Sequence, residues 1–117
     1  MDVSSSRTDL LARVLDAAAL RHRVIANNIA NVNTPGFKRL DVSFEDELAK
    51  VLAGGGDVRG VKPTVAEDPT APERVDGNTV DIDREMGMLS KNSLLYTAAS
   101  QILVARMSAM RSAITGR

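Results

Sequence analysis

Residues 27–38 read NNIANVNTPGFK, and this run decides the fold because it puts four asparagines at the end of a predicted helix and then stops that helix with a Thr-Pro-Gly turn. Pro35 restricts Thr34 to extended geometry. Gly36 supplies the positive φ that a sharp turn requires. The run therefore predicts a helix that ends near residue 32, followed at once by a change in chain direction.

The residues before this run have the apolar periodicity of an α-helix. The apolar positions are Leu11, Leu15, Ala18, Ile25, Ile29 and Val32. Ser6 lies three residues before Asp9, a spacing that resembles a capping box. The pattern predicts an amphipathic helix over residues 7–32.

The asparagines are spaced so that their amides can share one side of the last two helical turns. Asn27 and Asn31 are four residues apart, and Asn28 and Asn31 are three apart. One Asn suits a helix end for local reasons alone. Four beside an apolar stripe favour register setting at a helix interface, as a polar residue does in a coiled coil. The predicted assembly motif comprises Asn27, Asn28, Ile29, Asn31, Asn33, Thr34, Pro35, Gly36 and Phe37.

A second, short helix is predicted over residues 43–53, with Ser43 as its cap and three acids in its first turn. It ends at three consecutive glycines. Residues 54–78 hold five of the eight glycines and three of the four prolines, so they are predicted to form a mobile or partner-ordered loop. Scattered valines indicate brief extended pieces around residues 58–65.

The last segment has a strict heptad pattern, which is typical of a coiled-coil seam. The predicted seam consists of Ile82, Met86, Leu89, Ser93, Tyr96, Ser100, Leu103, Met107, Met110 and Ile114. A second apolar line, Met88, Leu95 and Ile102, widens the apolar arc beyond what one partner helix covers. We therefore expect this helix to contact more than one neighbour.

Together these elements predict an all-α fold, an elongated antiparallel hairpin or coiled coil of the N- and C-terminal helices. Residues 1–53 and 76–117 would form the helical unit, and residues 54–75 a flexible Gly/Pro-rich loop. A final helix of about 34 residues would span about 50 Å. A compact chain of this length is only about 35 Å across, so the molecule should be elongated.

Composition limits the classes of function. The 117 residues allow one domain, and the absence of cysteine excludes disulfides and thiolate chemistry. Net charge is zero overall but is +3 over residues 1–39, −5 over 40–80 and +2 over 81–117. With one Tyr and two Phe, this pattern is too weak for nucleic-acid binding.

We expect neither a secretory signal nor a membrane span in this sequence. The N-terminus has an acid at position 2 and charges that interrupt its apolar residues. No stretch approaches the 18 or so uninterrupted apolar residues that a membrane span needs, so direct membrane insertion is not expected. The default expectation from these absences is a cytoplasmic protein.

No residue is predicted to be catalytic, to bind a cofactor or to ligate a metal. Asp76, Asp81 and Asp83 lie near Gly77 but lack the spacing of a calcium loop. The single His22 has no predicted catalytic neighbours. Residues 54–60 are glycine-rich but lack the Lys-Ser/Thr ending of a phosphate-binding loop.

Residues 28–38 match the form NIANxNTxG[FY]K at every fixed position, and on these residues the chain resembles the axial rod, hook and filament-junction proteins of the bacterial flagellum. The short chain and the sequence DGNTVDIDREM at residues 76–86 narrow the resemblance to the basal-body rod family, and within it to a short proximal rod subunit. Several paralogues share the first motif.

The resemblance implies a structural subunit that stacks helically with its own copies and with other rod proteins. The rod would cross the periplasm as a drive shaft and contact a membrane-embedded ring and a rod-base adaptor. The resemblance implies that the chain leaves the cytoplasm through the type III export apparatus without cleavage of a signal, and this expectation replaces the cytoplasmic default. A cytoplasmic helical-hairpin adaptor explains the two amphipathic helices equally well, but it does not explain NNIANVNTPGFK.

Overall fold

A computed structural model describes the backbone of residues 3–116 and the side chains of residues 6–116. Two long helices frame a short β-ribbon and a small helix. The elements are α1 (Val3–Ala30), β1 (Leu40–Ser43), α2 (Glu45–Ala53), a 3-10 turn (Val58–Gly60), β2 (Thr64–Glu67) and α3 (Ile82–Thr115).

The two long helices run antiparallel. Asn28 Nδ2 donates to Glu85 Oε2 at 3.3 Å, and Asn92 Nδ2 donates to the Ala18 carbonyl at 2.7 Å, so residue numbers fall along α1 as they rise along α3. The molecule measures 63 × 31 × 14 Å, with a radius of gyration of 17.8 Å. A compact chain of this length would have a radius near about 13 Å. The predicted elongated shape is confirmed.

The prediction of an all-α fold is wrong, because β1 and β2 form a two-stranded antiparallel sheet. Leu40 lies opposite Glu67, and Ser43 lies opposite Thr64. The four residues of β2 are Thr-Val-Ala-Glu, and they do not alternate strictly between apolar and polar. This segment therefore has no strand signal in its sequence. All four residues are exposed in the fold. The predicted extended region at 58–65 overlaps only the first two residues of this strand, and its beginning forms the 3-10 turn.

Two predicted helix caps are also wrong. Ser43 is the last residue of β1, and Phe44 takes the N-cap position of α2 without a side-chain cap hydrogen bond. Phe44 is buried in a small core with Ala17 and Val61, and apolar burial outweighs the lost cap. Ser6 lies inside α1, which already includes Val3, so it cannot cap the start of that helix.

The predicted apolar face of α1 is confirmed where it meets the rest of the fold. Ala18 and Ile25 are buried, and the other predicted positions are half-buried. The end of α3 differs, because every residue from Met107 to Gly116 is exposed. No helix in residues 3–116 is both long and apolar enough to span a bilayer.

This contrast predicts uneven stability along the isolated chain. Helices without packed faces are marginal in water, so the amides of residues 107–115 should exchange hydrogen without protection in the dilute subunit. The amides of residues 17–28 should exchange more slowly, because they lie on the packed part of α1. Hydrogen exchange followed by NMR at micromolar concentration checks this, and uniform protection along α3 would contradict it.

Candidate functional site

The predicted assembly motif and the segment that opens α3 meet at one end of the helix pair. We call this region the junction, and it comprises residues 28–39 and 74–85. Backbone hydrogen bonds connect its two stretches: Gly36 N donates to the Asp76 carbonyl at 2.9 Å, and Thr79 N donates to the Phe37 carbonyl at 3.0 Å. Two sequence motifs separated by about forty residues therefore form one structure.

Asn28 connects three elements at the junction. Its side chain is fully buried, and its amide pairs with the backbone of Leu40 in both directions, donating from Nδ2 at 2.8 Å and accepting at Oδ1 at 2.9 Å. The same Nδ2 donates to Glu85 on α3. A buried amide needs both a donor and an acceptor as partners, and Leu40 supplies both. Asn28 thus attaches the end of α1 to β1 and α3.

Arg39 is the most deeply buried cation of the junction. Its Nε donates to Glu85 Oε1 at 2.6 Å, and one terminal nitrogen donates to Asp68 Oδ2 at 2.9 Å. Glu85 is fully buried, and the side chain of Asp68 is only 8% exposed. Buried ion pairs are stable only when their charged groups also form hydrogen bonds. Here each carboxylate accepts a hydrogen bond from Arg39.

The surroundings change the acid–base properties of this ion-pair cluster. Burial by itself lowers the pKa of Arg39, but the hydrogen bond and charge of Glu85, helped by Asp41 and Asp68, raise that pKa above the usual value. The pKa of Asp68 is lowered, first by hydrogen bonds from Thr70 and then by Arg39. Asp68 and Arg39 therefore stay charged at neutral pH.

Asn78 caps the end of α1 from a distance in sequence. Its Nδ2 lies 2.9, 3.2 and 2.8 Å from the carbonyl oxygens of Asn31, Val32 and Thr34. The last carbonyls of a helix have no partners within the helix, and this amide supplies donors to that region. Arg74 also donates to the Val32 carbonyl. The segment before α3 thus completes the end of α1.

Two glycines allow the stretches of the junction to approach. Gly36 has φ +75° and Gly77 has φ +83°, which confirms the positive φ predicted for Gly36. A Cβ added to Gly77 would lie 3.3 Å from Gly36 Cα, whereas one added to Gly36 would meet nothing within 4 Å. Gly36 is therefore required for its backbone conformation, and Gly77 for conformation and space.

The structure does not bring the four asparagines together. Asn31 Nδ2 donates to the Asn27 carbonyl at 2.8 Å, and the Thr34 hydroxyl donates to Asn31 Oδ1 at 3.1 Å, so these contacts are local. Asn28 points inward, whereas Asn27 and Asn33 are exposed. Pro35 is exposed, and Ile29 and Phe37 are half-buried. Register setting between subunits stays a prediction for the motif.

The side of α3 that faces α1 is not the predicted seam. The buried residues of α3 are Glu85, Asn92 and Ala99, which are spaced by seven and lie between the two predicted apolar lines. Leu89 and Leu103 of the seam are half-buried. Its other large residues are 41–83% exposed, namely Ile82, Met86, Tyr96, Met107, Met110 and Ile114. The seam is thus left open on the subunit.

Sequence reasoning missed Arg39, Asp68, Asn78, Glu85 and Asn92. Asn78 had a signal, because it follows Gly77 in a turn and its short amide suits helix-end carbonyls. Glu85 and Asn92 also had one, since a polar line at heptad spacing ran beside the seam. Asp68 had none, because its partner Arg39 is 29 residues away and only the fold brings them together.

Comparisons with known proteins agree with the resemblance. The family profile described as "Flagella basal body rod protein" matches residues 12–38, which include the whole assembly motif. FlgB of Borrelia hermsii is 37% identical, covering 87% of this chain and 90% of that protein. FlgB of Salmonella typhimurium is 31% identical, covering 87% and 88%, and FlgB of Bacillus subtilis is 30% identical, covering 99% and 98%.

Replacing Glu85 tests the ion-pair cluster. Glu85→Gln removes the charge facing Arg39 and, in either amide orientation, sets an NH2 group against a donor on Arg39 or Asn28. The free energy of unfolding should fall by about 2–5 kcal/mol. Urea unfolding followed by circular dichroism measures this.

The matched control is Asp57→Asn, which removes a carboxylate from the exposed Asp57–Arg59 pair, joined at 2.7 Å. Arg59 lowers the pKa of Asp57 to about 2, but an exposed pair contributes little to stability. Equal shifts in the two variants would show that burial of the cluster does not matter.

Alanine substitutions at three glycines should lower stability by amounts that depend on the backbone conformation and the free space at each glycine. Gly36→Ala should cost about 1–2 kcal/mol of stability through its positive φ. Gly77→Ala should cost more, because its Cβ also meets Gly36. Gly60→Ala, with a negative φ and open space, is the control and should lose nothing. Thermal unfolding measures this order of stability.

The bulkier substitution Gly36→Val is tested by swimming, and we expect the strain to be non-motile. Normal swimming of that strain would contradict a need for positive φ at Gly36.

Proposed function

The chain belongs to the FlgB family and is a structural subunit of the bacterial flagellar basal body rod, and from this premise we propose that it assembles by packing the exposed apolar faces of α3 against neighbouring subunits. Because the chain belongs to this family, we set aside the alternative that it is a cytoplasmic helical-hairpin adaptor. The proposal gives the chain a structural task and no catalytic one.

The observation that carries this proposal is the exposure of α3. Apolar side chains are exposed on several sides of its second half, including Ile102 (51%), Val104 (63%), Met107 (59%) and Ile114 (83%). A helix with apolar residues all round is normally buried. Exposed apolar surface of this extent marks an interaction site. Neighbouring helices in the rod would cover it, in keeping with the expected contact to more than one partner.

The contacts of the junction support a mechanical role, the transmission of torque. A drive shaft must pass torque from one subunit to the next without local yielding. Arg39, Glu85 and Asp68 join β1, α3 and the segment after β2, and Asn78 joins the end of α1 to the segment before α3. A force applied to either helix is therefore shared by the junction. We propose that this bracing lets the rod transmit torque across the periplasm.

Rod proteins assemble with other components of the basal body, and we propose specific neighbours for this subunit. They are further copies of the chain, other rod proteins, and the membrane-embedded ring with its rod-base adaptor. The exposed motif residues Asn27, Asn33 and Pro35 would contribute to these contacts. The chain would reach the periplasm through the type III export apparatus without a cleaved signal.

A charge on the seam tests the assembly mechanism. Met107→Lys alters an exposed residue, so the melting temperature of the isolated subunit should change little. In the assembled rod, a neighbouring subunit would bury the new charge, and this cost should prevent assembly. Swimming should therefore be lost, and the chain should be absent from purified basal bodies.

Ser108→Lys is the matched control. Ser108 is also exposed, lies about 100° further around the helix and is not on the seam. We expect this variant to swim. Normal swimming of Met107→Lys, with the chain present in basal bodies, would remove the seam from the assembly mechanism.

A further inference from the structure

A groove between α1 and α3 has features that indicate what fills it. Its volume is about 490 Å³, and it contains two residues of the seam, Ser93 and Tyr96. The other lining residues are Ala18, Ala19, His22, Arg23, Asn92 and Thr97. The two alanines on α1 have small side chains that allow another helix to approach closely. We call this groove the seam groove.

Asn92 lies between the seam groove and a second groove and has an unpaired hydrogen-bond acceptor. Its side chain is 4% exposed, and Nδ2 donates to the Ala18 carbonyl. The buried Oδ1 has no hydrogen-bond partner within the described side chains. An unpaired buried acceptor is unfavourable, so packing on the α1 side of Asn92 is incomplete in the isolated subunit.

The charge of the seam groove selects an acidic occupant. Its basic residues are His22 and Arg23, both exposed, and its lining includes no Asp or Glu. Arg23 forms no ion pair with any described residue of the chain. A second groove, on the other side of Asn92, contains Arg21 and Lys91 but also Asp41 and Glu45, so its charge favours no particular partner.

The start of α3 has the complementary features. Ile82 and Met86 are 41% and 49% exposed and lie one turn apart on the seam. Asp81 and Asp83 are exposed beside them and form no ion pair within the described residues. Asp81 caps the helix by accepting from Asp83 N and Arg84 N, so Asp83 is the free negative charge. This first turn therefore presents two apolar anchors beside one free carboxylate, the pattern of a helix that docks in a groove.

We propose that the first turns of α3 from a second copy of this chain dock in the seam groove. Ile82 and Met86 of the second copy lie against Ala19 and Tyr96 of the first, and Asp83 faces Arg23. One chain carries both surfaces at different places, so the contact is heterologous and repeats without closing on itself. Such a contact generates an open helical stack. This inference rests on the proposed assembly through α3.

Disulfide trapping in assembled rods tests the contact. Because the chain has no native cysteine, any disulfide that it forms must involve an introduced residue. Cells produce two differently tagged full-length chains, one with Thr97→Cys in the seam groove and one with Met86→Cys. The two positions are about 16 Å apart along one helix, so a single chain cannot form this bridge. Oxidised basal bodies should yield the mixed dimer.

The control replaces Thr97→Cys with Ala98→Cys, an exposed neighbouring position about 100° around the helix and outside the groove. We expect at least roughly fivefold less mixed dimer from the control, because a disulfide tolerates only a few ångströms of separation. Equal yields, or a Thr97→Cys link to another protein, would overturn the docking assignment while leaving assembly through α3 intact. Absence of the unsubstituted tagged chain from basal bodies would overturn both.

A charge exchange gives a second test of the contact. Arg23→Glu on the groove chain should lower formation of the contact by up to about fivefold at low salt, and Asp83→Arg on the docking chain should restore it. The yield of the Thr97–Met86 link, or motility in strains without cysteines, measures this. Arg7→Glu, an exposed charge reversal elsewhere on α1, is the control. Failure of Asp83→Arg to restore a loss caused by Arg23→Glu would contradict the proposed pairing.

Discussion

One buried arginine constrains the rest of this structure. A guanidinium stays charged under all ordinary conditions, so Arg39 can be buried only if carboxylates come to it. Glu85 comes from α3 and Asp68 from the turn after β2, and each brings its own element into place. Asn28 shares Glu85 with Arg39 and thereby adds the end of α1. The β-ribbon, the helix pair and the turns between them are positioned around this one charge.

The helix pair has an unusual distribution of polarity. The line of α3 that faces α1 begins with Glu85 and Asn92, whereas the apolar lines on both sides of it are largely exposed. A self-sufficient domain would have the opposite arrangement, with apolar residues inside. The subunit therefore uses hydrogen bonds and charge to define its own shape and keeps apolar surface for its neighbours. The grooves beside α3 follow from the same arrangement.

The long-period features of the fold were predictable from the sequence. Both long helices, the apolar face of α1 and the elongated shape followed from periodicity and length, and Pro35 and Gly36 marked the turn correctly. The β-ribbon was not predictable, because four-residue strands with an exposed partner leave no pattern. Ser43 was misread as a cap because its strand partner, Thr64, lies 21 residues later. Local rules could not weigh that pairing, or the burial of Phe44, against a cap.

By itself, the sequence determined that this chain forms two amphipathic helices, that the first ends in a glycine turn and that the second carries more apolar surface than one partner covers. These properties depend on residues within a few turns of one another. Tertiary structure alone decided which line of α3 faces inward, which amide caps α1, and which acids neutralise Arg39. Those choices join residues 29 to 74 positions apart, and they are set by the cost of burying an unpaired polar group.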